Sequence, residues 1–404
     1  MSDLHRSSVF WVNVMIGCLL FAVSLAIAPL LAAFYQQEEL TSVIRLSSVG
    51  FLIASFGVAQ QAMLMKEMSF KALMIRDISA TLLAGATGIV MALLGFGVWS
   101  LVGQMLAFTI IDTLALWIFS TWRPSWCFSW ATVRDLAGFS GNLLAFGIVN
   151  YLARNTDYLL IGKFLGAEAL GLYTLAYKLM LVPLQNVSWV ISKVMFPAFS
   201  RVQDRIDKIR NAYLKIIKLV SLIAFPMMAG LFALAPALIT TAFGDRWRSA
   251  VLPIQILALC GMLQSVGTMP GTVFRSQGRA DIELKLGILN ALLTALGIAY
   301  SLRWGIVGVA TAYTLVSVIW VHLAMLIAAR LLRMSFFDCY VRLLPAYALS
   351  LLLILALWFL QSLIRGQSFL TIGFITCTGL VIYGGLLIAM GQVIFKDRKP
   401  LLQL

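Results

Sequence analysis

The sequence predicts an all-α polytopic membrane protein of about twelve transmembrane helices, arranged as two helical lobes related by a parallel repeat, the first incomplete, and a C-terminal helix pair. Three observations predict this. Of the 404 residues, 61% are hydrophobic and 11% charged, with a mean hydropathy of +0.96, against roughly 45–50% apolar and 25% charged in soluble domains. Apolar runs of about 20 residues, the length that crosses about 30 Å of hydrocarbon, recur along the chain. A shift of about 207 to 210 residues brings two parts of the chain into register.

The expected spans are roughly 8–35, 42–63, 72–95, 98–121, 138–165, 169–199, 212–243, 249–275, 282–302, 305–329, 340–363 and 370–394. The first is longer than a signal-peptide core and leads into further spans, so it is read as a retained helix. No stretch is left for a soluble domain. Cys18, Cys127, Cys260, Cys339 and Cys377 lack CxxC spacing, and only His5 and His322 could join them, which argues against disulfide and metal frameworks.

The net charge of +14 is distributed by loop. Arg6, Lys66, Lys71, Arg76, Arg123, Arg134, Arg201, Arg205, Lys208, Arg210, Arg275, Arg279, Arg330, Arg333, Lys396, Arg398 and Lys399 fall on one side. Lys163, Arg246, Arg248, Arg303 and Arg365 fall on the other. A bias of about 17 to 5 places both termini in the cytoplasm by the positive-inside rule. The charge is a topology signal with some attraction to anionic lipid, and it leaves no compact basic surface for nucleic acid.

The repeat register rests on its least generic matches. Ala28-Pro29-Leu30 falls on Ala235-Pro236-Ala237, Lys66 on Arg275, and the hairpin "GFGVWSLV" beside "WGIVGVAT". Four helices match four in the same order, a parallel repeat. In the second copy two helices at 138–199 precede the matching four, so the symmetry predicts two N-terminal helices that the first copy lacks.

Charge inside an apolar helix costs about 2.5–3.5 kcal/mol at the bilayer centre and marks function or a buried pair. Arg154 and Asp157 share a helix face, with Asn150 one turn earlier; the next helix adds Tyr177, Lys178, Gln185, Asn186, Ser188, Ser192 and Lys193 around Pro183. Two readings fit. In one, the residues line a water-filled cavity between two bundles, where Arg154 and Lys178 meet an anionic substrate. In the other, Arg154 and Asp157 form a structural pair while Lys163, Lys178 and Lys193 snorkel. Asp112 and His322, on pseudo-equivalent helices, could carry a coupling proton or serve as structural hydrogen-bonding groups. Asn13, Gln60 and Gln61 read as interhelical glue. Met269-Pro270-Gly271 reads as a helix interruption, and 201–220 as an amphipathic connector at the headgroups.

The stretch "RNTDYLLIGKFLGAEALGLYTLAYKLMLVPLQNVSWVISKVMFPAFSRVQ" (154–203), with "LLGFGVWSLV" (93–102) and "WRPSWCFSW" (122–130), resembles Wzx-type and colanic-acid-type polysaccharide exporters of the multidrug/oligosaccharidyl-lipid/polysaccharide superfamily. The resemblance implies a MATE-like fold of two six-helix lobes plus a C-terminal pair, with "SSVFWVNVMIG" similar to the third helix. The implied domains are 1–123, an N-lobe remnant of four helices; 124–137, a cytoplasmic linker; 138–330, a six-helix C-lobe; and 331–404, the C-terminal pair and tail. It further implies a flippase of the bacterial inner membrane that moves undecaprenyl-pyrophosphate-linked oligosaccharide repeat units for surface polysaccharide or lipopolysaccharide. Arg154, Asp157 and Lys178 would line its cavity, and polysaccharide assembly proteins would be further partners.

No cofactor is expected, and no enzyme activity: a polyprenyl-phosphate transferase needs clustered carboxylates for Mg²⁺, and Glu38-Glu39 and Asp204/Asp207 lack that spacing. The alternatives are a cation-coupled drug exporter of the same superfamily and an inactive truncated membrane protein.

Overall fold

The computed structural model describes residues 3–130, 133–134, 151, 155–364 and 368–389. Among the described residues there are helices and turns but no strand. Hydrocarbon permits little else, because a spanning segment must satisfy its own backbone N–H and C=O groups. Nine helical stretches among the described residues are long and apolar enough to cross a membrane, or ten if one bent pair counts as a span. One of the nine, Asp281–Leu331, contains two helices that the sequence counts separately. The expected fifth span, 138–165, falls largely outside the described residues.

The chain divides into two compact units, Met1–Tyr151 and Leu152–Leu404. The first contains α1 (Asp3–Tyr35), α2 (Glu39–Ser55), α3 (Val58–Lys66), α4 (Phe70–Leu93) and α5 (Trp99–Phe119). Small residues let these helices approach closely, which substitutes for the hydrophobic driving force that lipid removes. A Cβ added to Gly17 of α1 would lie 2.5 Å from Ser55 Cβ and 2.9 Å from the Phe51 carbonyl oxygen of α2. The α4–α5 hairpin turns through Gly95 (φ +84°) and Gly97 (φ +54°), conformations that explain the "GFG" of the sequence.

Between α2 and α3 the axis bends by 42°. The carbonyls released there find partners on α5: Thr113 Oγ1 donates to Ile53 O at 3.3 Å, and Trp117 Nε1 to Phe56 O at 3.0 Å. Gly57 sits at the bend, where a Cβ would come within 2.9 Å of Leu116 Cδ1 and push that side chain aside. The expectation of interhelical glue fails for two residues. Asn13 Nδ2 donates to Val9 O of its own helix. Gln60 is fully buried, and neither amide atom has a hydrogen-bond partner.

The second unit contains α6 (Thr156–Phe164), α7 (Gly166–Pro183), a π turn (Leu184–Ser188), α8 (Trp189–Arg201) and α9 (Ile206–Phe243). A 3-10 turn (Asp245–Ala250) leads to α10 (Val251–Gly267), α11 (Met269–Ser276) and α12 (Ala280–Ser301), and another (Leu302–Trp304) to α13 (Gly305–Leu331), α14 (Phe336–Leu363) and α15 (Phe369–Ala389). The core forms around α9, which packs on α10 and α14 through Tyr213, Ile217, Phe225 and Met228. α14 starts on a capping box: Ser335 Oγ accepts from Phe337 N and Asp338 Oδ2 from Ser335 N. The 201–220 segment differs from its expected form. After a short turn it becomes the beginning of α9, and its apolar face, including Ile209, Tyr213 and Ile217, is buried in the bundle.

The repeat is visible in the elements themselves. A shift of 210 residues, within the range read from the sequence, carries Gly57 onto Gly267, at the end of α10. The helix breaks again at Thr268, one residue before Met269-Pro270-Gly271, and a Cβ on Gly267 would lie 2.6 Å from Val321 of α13. Beside this break Ser265 Oγ donates to Met262 O and Thr268 Oγ1 to Ser265 O.

Gly17→Leu is expected to lower the unfolding temperature in detergent, corresponding to an overpacking cost of about 1–3 kcal/mol. Gly85→Ala, where a Cβ meets nothing within 4 Å, leaves it unchanged or slightly raised. Equal melting temperatures for the two variants would contradict the close α1–α2 approach.

Candidate functional site

Among the residues the sequence proposes, Arg154 and Asn150 lie outside the described residues. Asp157 lies in the first turn of α6 and is 4% exposed. The free N–H groups and positive dipole end of a helix start favour a carboxylate there. Tyr158 N donates to Asp157 Oδ1 at 2.9 Å, and Tyr173 Oη to Oδ2 at 3.3 Å.

That contact opens onto a polar, aromatic seam within the second unit. Tyr173 and Tyr177, one turn apart on α7, have stacked rings with centroids 6.0 Å apart, and Tyr158 meets both edge-on. Tyr313 of α13 packs edge-on against Tyr177 at 5.6 Å, and their hydroxyls lie 3.2 Å apart. Gln264 of α10 donates to Tyr313 Oη at 3.1 Å and to Ser317 Oγ at 3.0 Å. Four helices thus bring a carboxylate, an amide, a serine and four tyrosines into the apolar core. The sequence reading singled out Asp157 and Tyr177 and missed Tyr158, Tyr173, Gln264, Tyr313 and Ser317. The available signal was the pairing of polar groups at i, i+4, as in Tyr173/Tyr177 and Tyr313/Ser317, on otherwise apolar helices.

Lys178, Gln185 and Asn186 are exposed, as is Lys193. Pro183 has no N–H to give, and the next five residues form the π turn that carries Gln185 and Asn186. Asn186 Nδ2 folds back onto Val182 O at 2.8 Å. Lys178, Gln185 and Lys193 are spaced by about two helical turns and so share one side. Gly166–Arg201 runs 36 residues, about 54 Å at 1.5 Å per residue, which places Lys178 and Gln185 well inside it. A lipid-facing lysine at the bilayer centre would cost about 2.5–3.5 kcal/mol. Val182, Val190 and Val194 are exposed along the same stretch.

Asp112 has a partner that the sequence reading did not assign. Arg76, read from the sequence as part of a basic loop, is a buried residue of α4; its Nε lies 3.0 Å from Asp112 Oδ1 of α5, and its guanidinium also binds Asp77. Arg76 Nη1 is buried without a partner. His322 on α13 makes a different kind of contact: Nδ1 lies 2.6 Å from Val318 O, so that nitrogen carries the donated proton, and the ring packs on Tyr340 at 5.7 Å.

A membrane-spanning chain with a hydroxyl-rich, carboxylate-bearing seam is the setting for the family match, which covers residues 1–252 with the family described as polysaccharide biosynthesis protein. The chain belongs to that family. It is similar to the teichuronic acid biosynthesis protein TuaB of Bacillus subtilis (strain 168), 32% identical over 321 residues, 79% of this chain and 66% of that protein. The lipopolysaccharide biosynthesis protein WzxC of Escherichia coli (strain K12) is 28% identical over 321 residues, 79% of this chain and 65% of its own length. The chain thus spans just under two thirds of the length of these two relatives. In fold it resembles the lipid II flippase MurJ in its inward closed conformation, with a TM-score of 0.77, 14% identity, and coverage of 98% of this chain and 84% of that one. This member is a multi-pass membrane protein with the seam in its second unit.

Removing the carboxylate of Asp112 leaves the Arg76 guanidinium with Asp77 alone, so Asp112→Ala is expected to lose about 2 kcal/mol of stability, the scale of a charge-assisted hydrogen bond. Combined with Arg76→Met, the loss is expected to be smaller than the sum of the two single losses. Thermal unfolding of the two single variants and the double variant in nanodiscs checks this; strict additivity would contradict the pair.

Proposed function

We propose that the chain takes part in surface polysaccharide biosynthesis as a flippase of the bacterial inner membrane, moving undecaprenyl-pyrophosphate-linked oligosaccharide repeat units by alternating access. Both termini lie on the cytoplasmic side, as the loop charges suggest. The observation that carries this reading is the exposed stripe of Lys178, Gln185, Asn186 and Lys193 within a long apolar helix, next to the Asp157–tyrosine seam, in a member of a polysaccharide biosynthesis family.

The chemistry matches the two halves of such a headgroup. Lys178, Lys193 and Arg154 offer positive charge to a pyrophosphate, with the arginine fork suited to paired phosphate oxygens. Asp157, Gln185, Asn186 and Gln264 offer acceptors and donors to sugar hydroxyls, and the tyrosines offer flat faces with polar edges. The polyprenyl tail stays in lipid, so only the headgroup needs this polar path. Asp112, held by Arg76, and His322 are the coupling candidates, each in its own unit. No chemical step is assigned to the protein.

The test is complementation of a strain lacking its own flippase. Asp157→Asn and the double variant Lys178→Ala/Lys193→Ala are expected to reach the membrane at normal levels yet cut surface polymer at least tenfold, while lipid-linked repeat units accumulate. Normal polymer from both variants would overturn the headgroup assignment. Protein that responds only to lipophilic cations, in transport or thermal stability, would instead favour drug export.

A further inference from the structure

We propose that residues 120–130, the strap that follows α5, form an interfacial membrane anchor whose Trp126, Phe128 and Trp130 side chains sit in the headgroup region of the leaflet at the N-terminal end of α1. This goes beyond the transport reading and does not depend on what the protein carries.

The strap is extended chain, yet its position is fixed. Ser125 N and Ser129 N donate to the Ser7 and Ser8 hydroxyls of α1, and Trp11 Nε1 donates to Ser125 O. Trp126 stacks on Trp11 with ring centroids 4.6 Å apart, and Trp122 meets Phe10 edge-on. Arg123 ties the strap to the end of α5, donating to Trp117 O and Ser120 O with its guanidinium 5.3 Å from the Trp117 ring centre. Two spanning helices therefore set its height. α1 has 33 residues and rises about 50 Å, so a hydrocarbon core of about 30 Å leaves about 10 Å projecting at each end when the helix is centred. Ser7 to Trp11, where the strap is pinned, lie about 6–12 Å from the start of α1. That is the level of the boundary between headgroups and acyl chains.

At that level the strap turns aromatic side chains outward. Trp126 is 89% exposed, Trp130 68% and Phe128 45%. Tryptophan favours the membrane–water boundary because its ring is apolar and its N–H polar. Arg6, Arg123 and Arg134 flank the strap, and cations near the surface are drawn to anionic headgroups. The juxtaposition of an outward aromatic triplet, a height fixed by two spans and a cationic flank points to the lipid surface as occupant.

Cys127, exposed between Trp126 and Phe128, is a natural reporter. An environment-sensitive fluorophore is attached to it in the full chain carrying Cys18→Ala and Cys377→Ala, reconstituted in phosphatidylethanolamine/phosphatidylglycerol vesicles; the same label on Glu38→Cys, with Cys127→Ala added, is the aqueous control. The Cys127 label is expected to be quenched by a spin label placed near the lipid headgroup, and at least twofold less than the control by aqueous iodide. Replacing Trp126, Phe128 and Trp130 with Gln is expected to restore full iodide quenching. Iodide quenching of the Cys127 label equal to the control would overturn the proposal. Protection from both quenchers would overturn it as well, because a protein surface would then cover the strap.

Discussion

The unsatisfied peptide group in hydrocarbon is the constraint on which the rest of this structure depends. Each N–H or C=O left without a partner away from water costs several kcal/mol, so the chain crosses as helix and departs from helix only where other groups step in. The α2–α3 bend obeys this rule: Thr113 and Trp117 of a neighbouring helix donate to Ile53 O and Phe56 O. The two copies keep one architectural feature, a helix broken beside a glycine, with Ser265 and Thr268 bonding back along their own chain beside the second break. Gly57 and Gly267 also let a neighbouring side chain press against the backbone beside each break, so the break is a packing feature as much as a loss of helix.

Polar side chains inside the bundle follow the same accounting. Asp157 does not stand alone in the apolar core: a helix N-terminus and the Tyr173 hydroxyl share its charge, and the tyrosine–glutamine–serine chain beyond it satisfies its members in turn. Arg76 is shared between Asp77 and Asp112. Against these, Gln60 is a buried amide with neither atom paired, a cost of the order of 1–3 kcal/mol that packing elsewhere must offset. The exposed stripe of α7 and α8 is the complementary case. In the proposed function water reaches its lysines and amides, and a water-reached face within an apolar span is what a polar headgroup needs to leave one side of a membrane for the other.

Much of the fold was legible in the sequence. Apolar run length gave the spans that fall among the described residues, the "GFG" triplet gave the α4–α5 hairpin, and Met269-Pro270-Gly271 marked the second helix break within one residue. The repeat was readable because its proline, basic turn and glycine hairpin are rarer than leucine. The candidate site was legible only in part. Asp157 and the polar stripe announce themselves as polar residues in apolar runs, but hydropathy says nothing about which helices are neighbours. Arg76 and Asp112 are far apart in sequence and meet only because α4 packs along α5. Tyr313 reaches Tyr177, and Gln264 reaches Tyr313, because α10 and α13 close on α7. Tyrosine also counts as apolar in a hydropathy pattern, which hid the hydroxyls of Tyr158, Tyr173 and Tyr313 from the reading. Asn13 shows the opposite error, a polar residue whose partner is its own helix.

The central claim is that the stripe at the π turn faces water and receives the headgroup. Its most direct test is a nitroxide on Gln185→Cys in vesicles, with the exposed native cysteines removed, scored by collision with a water-soluble nickel chelate and with oxygen. The account predicts strong collision with the chelate, reduced when undecaprenyl-pyrophosphate-linked oligosaccharide is added. Collision with oxygen alone, unchanged by that lipid, would mean that the stripe faces acyl chains and would contradict the account.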